Sequence, residues 1–157
     1  MDDPQKLNDR TTYQRCFACG GRNEHGLKLV FRREGDRIYT NFTPSVRYQG
    51  FPGVLHGGII ATLLDETMGR TGAIRREWLM TGKLNIRYRQ PAPVDQPLRV
   101  WGQIGQERSG AVDAVGAVEL ADGTVVAEAR GLFLKLPGPV VQRTLSQYPE
   151  FVNYWQE

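Results

Sequence analysis

A histidine followed by two glycines, His56-Gly57-Gly58, stands where an apolar helical stretch begins, and a carboxylate, Asp65, falls in the middle of that stretch. Helices normally start behind a side-chain cap, and glycine in the first turn lowers helix propensity by about 1 kcal/mol relative to alanine. In exchange, unshielded backbone N–H groups sit at the positive end of the helix dipole, where they can meet a carbonyl oxygen that is acquiring negative charge. Asp65 has Ala61, Thr62, Leu64 and Met68 as helical neighbours. An ionised carboxylate in such surroundings costs on the order of several kcal/mol unless it is paired or put to use. Glu66 competes for the role of base, but Arg70 follows it at i+4, which gives Glu66 a surface ion pair worth about a few tenths of a kcal/mol. At the same spacings Asp65 has only Ala61 and Gly69, so no local cation claims it. His56 reads as a residue that orients the loop and a substrate rather than as a general base. Gly57 and Gly58 suit an anion hole and close helix packing alike.

The elements that must position these groups follow from hydrophobic period. Leu27, Leu29 and Phe31 alternate with polar neighbours, as do Ile38, Thr40 and Phe42 beyond Glu34-Gly35-Asp36, which predicts a strand hairpin. From about His56 to Ile74, Ile59, Ile60, Leu63, Leu64 and Met68 keep helical spacing. Four strands come next, marked by Leu84/Ile86/Tyr88, Leu98/Val100/Ile104, Val112 to Leu120 and Val125 to Leu136, with turn residues at Pro91-Ala92-Pro93, Glu107-Arg108-Ser109-Gly110 and Ala121-Asp122-Gly123. The fold class is α+β: strand, strand, one long central helix, then four strands, with a curved, mostly antiparallel sheet wrapped round the helix. In the final strand Val125, Ala127, Ala129, Gly131 and Phe133 share one face, and their small side chains make room for the helix. Tyr148, Phe151, Val152 and Trp155 predict a short helix in the tail from Thr144 to Glu157.

Length and composition narrow the function classes. A chain of 157 residues, 40% hydrophobic, reads as one domain over 1–157, with an N-terminal extension of about 1–26 and a C-terminal tail of about 137–157. The polar, acidic start Met1 to Lys6 does not resemble a secretory signal and no apolar stretch spans a membrane, so the expectation is a cytoplasmic protein without a membrane partner. A net charge of +3 suits an anionic ligand, yet arginines are scattered among carboxylates, which speaks against nucleic acid. Cys16, Cys19 and His25 offer three metal ligands where a structural zinc takes four. They are expected to form a tight turn with two small buried thiols and no metal.

Gly53-Val54-Leu55-His56-Gly57-Gly58, Asp65 seven positions after Gly58, Thr81 with Leu84 to Tyr88, and Pro91-Ala92-Pro93 together resemble the hotdog-fold acyl-CoA thioesterases, in particular the PaaI-like branch. Cys16-Phe17-Ala18-Cys19-Gly20 with Asn23 and Gly26-Leu27 is similar to an N-terminal signature of some bacterial members. The resemblance implies hydrolysis of an acyl-CoA thioester without metal or bound cofactor. Gly57 N–H would polarise the carbonyl, Asp65 would act as general base or nucleophile, and Thr81 would assist. Substrate contacts fall to Gln49, Gly50, Gly58, Asn85, Arg87 and Arg89. Several relatives carry asparagine at the position of Gly50, where it helps to hold the nucleophilic water; here Gln49 stands beside a glycine. On their own, Arg87 and Arg89 fit a solvated strand face as well as a site for CoA phosphates, and Arg130 is equally open.

His56 and Asp65 are nine residues apart, which on one helix is about 13 Å of rise and nearly opposite sides. If both serve one thioester, Asp65 comes from a second subunit related by a two-fold axis, so the resemblance implies a homodimer or a dimer of dimers. Two other readings are a non-catalytic acyl-CoA-binding or regulatory module, and a hotdog dehydratase or hydratase.

Overall fold

The computed structural model describes residues 15–155. Strand β1 (Arg32–Glu34) and strand β2 (Arg37–Phe42) form a hairpin closed by Gly35-Asp36, with Gly35 at the positive φ that a tight mirror-image turn requires. Helix α1 (Gly57–Gly69) continues as a 3-10 segment to Arg75, and strands β3 (Leu79–Tyr88), β4 (Leu98–Arg108), β5 (Ala111–Leu120) and β6 (Val125–Lys135) follow. All pairings are antiparallel, in the order β1-β2-β4-β5-β6-β3. The chain therefore leaves the sheet at β2, crosses its face as α1, and returns at the far edge as β3. The expected strand-strand-helix-four-strand order and the long central helix are both present.

Two boundaries differ from expectation. Leu27, Leu29 and Phe31 are buried on alternating positions, but Lys28 at φ 54° breaks the extended run, so the strand starts only at Arg32. The N–H groups of Leu27 and Leu29 donate instead to the Phe17 and Ala18 carbonyls, both at 2.9 Å, tying the Cys16–Gly20 turn to the core. In the tail, Pro137-Gly138-Pro139 starts helix α2 (Gly138–Gln147) earlier than expected, with Pro139 at a first-turn position where its missing N–H costs nothing. A 3-10 segment, Pro149–Trp155, then sets the Phe151 ring 4.4 Å from that of Trp78. The Trp155 side chain and the acidic N-terminal residues lie outside the described residues.

The helix buries Ile60, Leu63, Leu64, Thr67 and Met68. It lies tight against the sheet at two glycines directly opposite each other, Gly102 on β4 and Gly116 on β5. A Cβ on Gly102 would lie 2.9 Å from Met68 Cα and from the Thr67 carbonyl oxygen, and one on Gly116 2.9 Å from Met68 Cγ. Gly131 clears space for the Phe133 ring, which would be 2.6 Å from an added Cβ, and that ring packs against Gly69 of α1.

Gly102→Ala should therefore lower the unfolding free energy by about 1–3 kcal/mol, the usual cost of overpacking. Gly138→Ala, with open space around the new methyl, should change it by about a few tenths of a kcal/mol. Urea unfolding of both variants checks this; equal losses would place the tight helix–sheet contact elsewhere.

Candidate active site

The loop before α1 is braced by its own backbone. Gly50 N–H donates to the Val54 carbonyl at 2.8 Å, and Gln49 Oε1 accepts from Gly53 N–H at 3.1 Å. His56 N–H donates to the Tyr48 carbonyl at 2.9 Å, while the Tyr48 hydroxyl donates to the Gly26 carbonyl at 3.0 Å. His56 is thereby held in extended conformation as the N-cap of α1, and its Nδ1 accepts from Gly58 N–H at 2.9 Å. Such an imidazole carries its proton on Nε2. Glycine at 58 is what leaves room for the ring, since a Cβ there would be 3.0 Å from Nδ1.

With Gly58 N–H taken by His56, Gly57 N–H is left without a hydrogen-bond partner among the described residues. It lies at a cleft of about 320 Å³ formed with Val54, Ile60, Tyr88, Arg89 and Ala92. The Tyr88 hydroxyl donates to the Gly57 carbonyl at 2.8 Å and its ring sets one wall of the cleft. Sequence reasoning placed Tyr88 on the inward face of its strand but gave it no part in the site.

Two turns further along α1, Asp65 Oδ1 accepts a 2.5 Å hydrogen bond from the Thr81 hydroxyl. Asp65 is half-buried at the edge of the sheet rather than enclosed by the apolar core, because β3 pairs only with β6 and leaves that flank of the helix open. A bulge makes both β3 contacts possible. Thr81 and Tyr88 are seven residues apart, which in a regular strand puts them on opposite faces. The register shift between Thr81 and Lys83 absorbs Gly82, so Thr81 lies opposite Phe133 and Tyr88 opposite Ala127, both on the inner face of β6.

The expected residues thus fall into separate groups. Gln49, Gly50, His56, Gly57 and Gly58 meet at the helix start; Asp65 and Thr81 meet near its far end, on the same continuous helix. Asn85 and Arg87 lie on the sheet face turned away from α1, in a cavity of about 450 Å³ that Trp101, Val115, Glu128 and Arg130 also line. Arg89 reaches the cleft by the helix start but is ion-paired with Glu128 at 2.5 Å. Glu66 departs most from expectation. Its i+4 partner Arg70 is present at 3.3 Å, yet the Arg70 side chain is wholly buried, because the Cys16–Gly20 turn covers that flank of the helix. The pair is an interior one, where removing a single partner costs far more than at a surface.

Residues 52–127, which hold α1, β3, β4, β5 and the start of β6, match the thioesterase superfamily. The chain is also 30% identical to acyl-coenzyme A thioesterase THEM4 of Mus musculus over 133 residues, 84% of this chain and 56% of that protein. The chain resembles the thioesterase superfamily in sequence and in fold. It spans about half the length of the curated relatives it matches. Among solved structures, the thioesterase superfamily protein RHA08564 superposes with a TM-score of 0.74 at 28% identity, covering 85% of this chain and 68% of that one. A hypothetical thioesterase protein of Streptococcus pneumoniae, solved with coenzyme A, shares the fold with a TM-score of 0.62 at 17% identity, over 65% and 82% of the two chains. The helix wrapped by six antiparallel strands is the hotdog fold of this superfamily.

If the His56 ring acts on the helix chiefly as a cap, His56→Ala should cost about 1 kcal/mol of stability and His56→Asn about a few tenths, since asparagine caps well. Denaturant unfolding of the two variants distinguishes them, and equal losses would refute the capping role.

Proposed function

We propose that this protein hydrolyses an acyl-CoA thioester to the free acid and CoA, at a site shared between two subunits. The observation that carries this reading is the pairing of one unengaged N–H, that of Gly57 at the mouth of a cleft, with a hydroxyl-bonded carboxylate, Asp65, on the same helix. The names of the relatives and the coenzyme A bound to a protein of the same fold agree with it.

In this reading the thioester carbonyl lies against Gly57 N–H, which together with the helix dipole stabilises the negative charge that develops on oxygen. Tyr88 holds the Gly57 carbonyl from the other side of the same residue and so fixes the direction of that N–H. A rigid helix separates Gly57 from its own Asp65 by about 12 Å of rise, so the carboxylate that acts comes from a second copy of the chain. The open edge strand β3, with Met80 54% and Tyr88 50% exposed, supplies a surface on which that copy can sit. Asp65 takes a proton from water as it attacks the carbonyl carbon, or attacks it directly to form an anhydride that water opens; CoA leaves as the thiolate and is then protonated. Thr81, by donating to Oδ1, positions the carboxylate and leaves Oδ2 for the water. Gln49 is tied to the loop through its Oε1, with its amide N–H groups remaining as donors. Arg87 on the outer face, and Arg89 at the cleft on giving up its Glu128 partner, would meet CoA phosphates.

Asp65→Asn should abolish nearly all release of free CoA thiol from an acyl-CoA panel while leaving CoA binding measurable, and Glu66→Gln should spare the chemistry. Mixing His56→Ala subunits with Asp65→Asn subunits, each first verified as inactive alone, should restore about a quarter of wild-type activity, because half the dimers are mixed and each holds one intact site. Mixtures that stay inactive after exchange is verified by mass spectrometry would refute the shared site. Binding without thiol release, or hydration of enoyl-CoA instead, would refute hydrolysis.

A further inference from the structure

The flank of α1 opposite the sheet holds a polar cluster that thioester hydrolysis does not use. Arg70, wholly buried at the end of the helix, donates from Nε to Glu66 Oε1 at 3.3 Å and from Nη2 to Cys19 Sγ at 2.9 Å, with its guanidinium 5.0 Å from the Phe31 ring centroid. Cys16 belongs to the same turn as Cys19, closed by Gly20 N–H donating to the Cys16 carbonyl at 2.9 Å. The two sulfurs and a Glu66 oxygen all lie within 4.8 Å of one another. Cys16 is half-buried and can be approached, whereas Cys19 is 2% exposed.

Three such donors invite a metal ion, but a structural zinc takes four, and here a guanidinium already holds two of the three. A thiol is a weak acceptor and a thiolate a strong one, so an interior guanidinium against this sulfur pair favours one shared negative charge. Cys19, acting as donor, holds the Cys16 thiol down at about 7 despite burial, and the same bond together with burial pushes Cys19 up. The Glu66 carboxylate opposes ionisation of both cysteines, while Arg70 favours it at Cys19.

We propose that Cys16 and Cys19 are a reversible dithiol–disulfide site that reacts with small-molecule disulfides, Cys16 attacking and Cys19 resolving. The Cys16 thiolate attacks one sulfur of the small disulfide, whose S–S bond breaks as one small thiolate leaves. Cys19 then loses its proton to solvent and attacks Cys16 Sγ; the mixed S–S bond breaks and the second small thiolate leaves. Two protein thiols are oxidised and one small disulfide is reduced to two thiols. The sulfurs must close to about 2.05 Å, which draws Cys19 away from Arg70 and leaves Glu66 to balance the buried cation at the end of the helix that carries Asp65.

Cys16 and Cys19 are the two cysteines of the chain, so intact mass after alkylation reads the site directly. In graded mixtures of oxidised and reduced glutathione, the full chain should lose both alkylatable thiols together with the mass of two hydrogens. Cys19→Ser should stop at one glutathione on Cys16, while Cys16→Ser should react about tenfold more slowly, because the thiol that remains is 2% exposed. Three results would overturn the proposal: both thiols staying free at ratios that oxidise the isolated Cys16–Gly20 peptide, equal thiolation of the two single variants, or one zinc ion per chain released on thiol modification.

Discussion

Met68 lies against two facing glycines, and from that contact the height and rotation of the helix over the sheet follow. With no side chain at Gly102 the helix backbone comes within van der Waals reach of β4, and with none at Gly116 the Met68 side chain lies against β5. The direction of Met68 then fixes its neighbours, at about 100° per residue. Asp65, three positions earlier, leans toward the β3 edge and meets Thr81. Glu66, two positions earlier, turns to the side that the Cys16–Gly20 turn covers. One packing contact between three residues thus sends two adjacent carboxylates into different environments.

The site at the helix start depends on a second economy, in which a single imidazole does the work of a cap. By satisfying Gly58 N–H, His56 stabilises the first turn and leaves Gly57 N–H as the neighbouring donor without a partner among the described residues. Two free N–H groups would have offered a broader anion site. One free N–H between a capped neighbour and a tyrosine-bound carbonyl gives a point of contact with a defined direction.

Much of this was legible in the chain because it is local. The His-Gly-Gly start, the helix period through Met68 and the strand alternations all lie within windows of a few turns, and the structure bears out their element types except at Leu27 to Phe31. What was hidden depends on residues far apart in sequence. Gly102 and Gly116 become one feature only when β4 pairs with β5. The i+4 spacing of Glu66 and Arg70 is real, but its character changed from surface pair to interior pair because Cys19, 51 residues before Arg70, covers it. Lys28 illustrates a different limit: the alternation of Leu27, Leu29 and Phe31 reported burial correctly while its left-handed backbone forbade the strand. Periodicity reads which side chains are inside, and hydrogen-bonding partners decide what the backbone is called.

The extra residue in β3 has a bearing on how this protein can change over time. An uninterrupted ladder from Leu79 to Tyr88 is the easier strand to build, and loss of Gly82 would permit it. The chain would still fold round its helix, but Thr81 and everything before it would be turned over relative to Tyr88, parting Asp65 from its hydroxyl. In this chain strand regularity and the Asp65–Thr81 contact exclude one another, and the bulge is what keeps the contact.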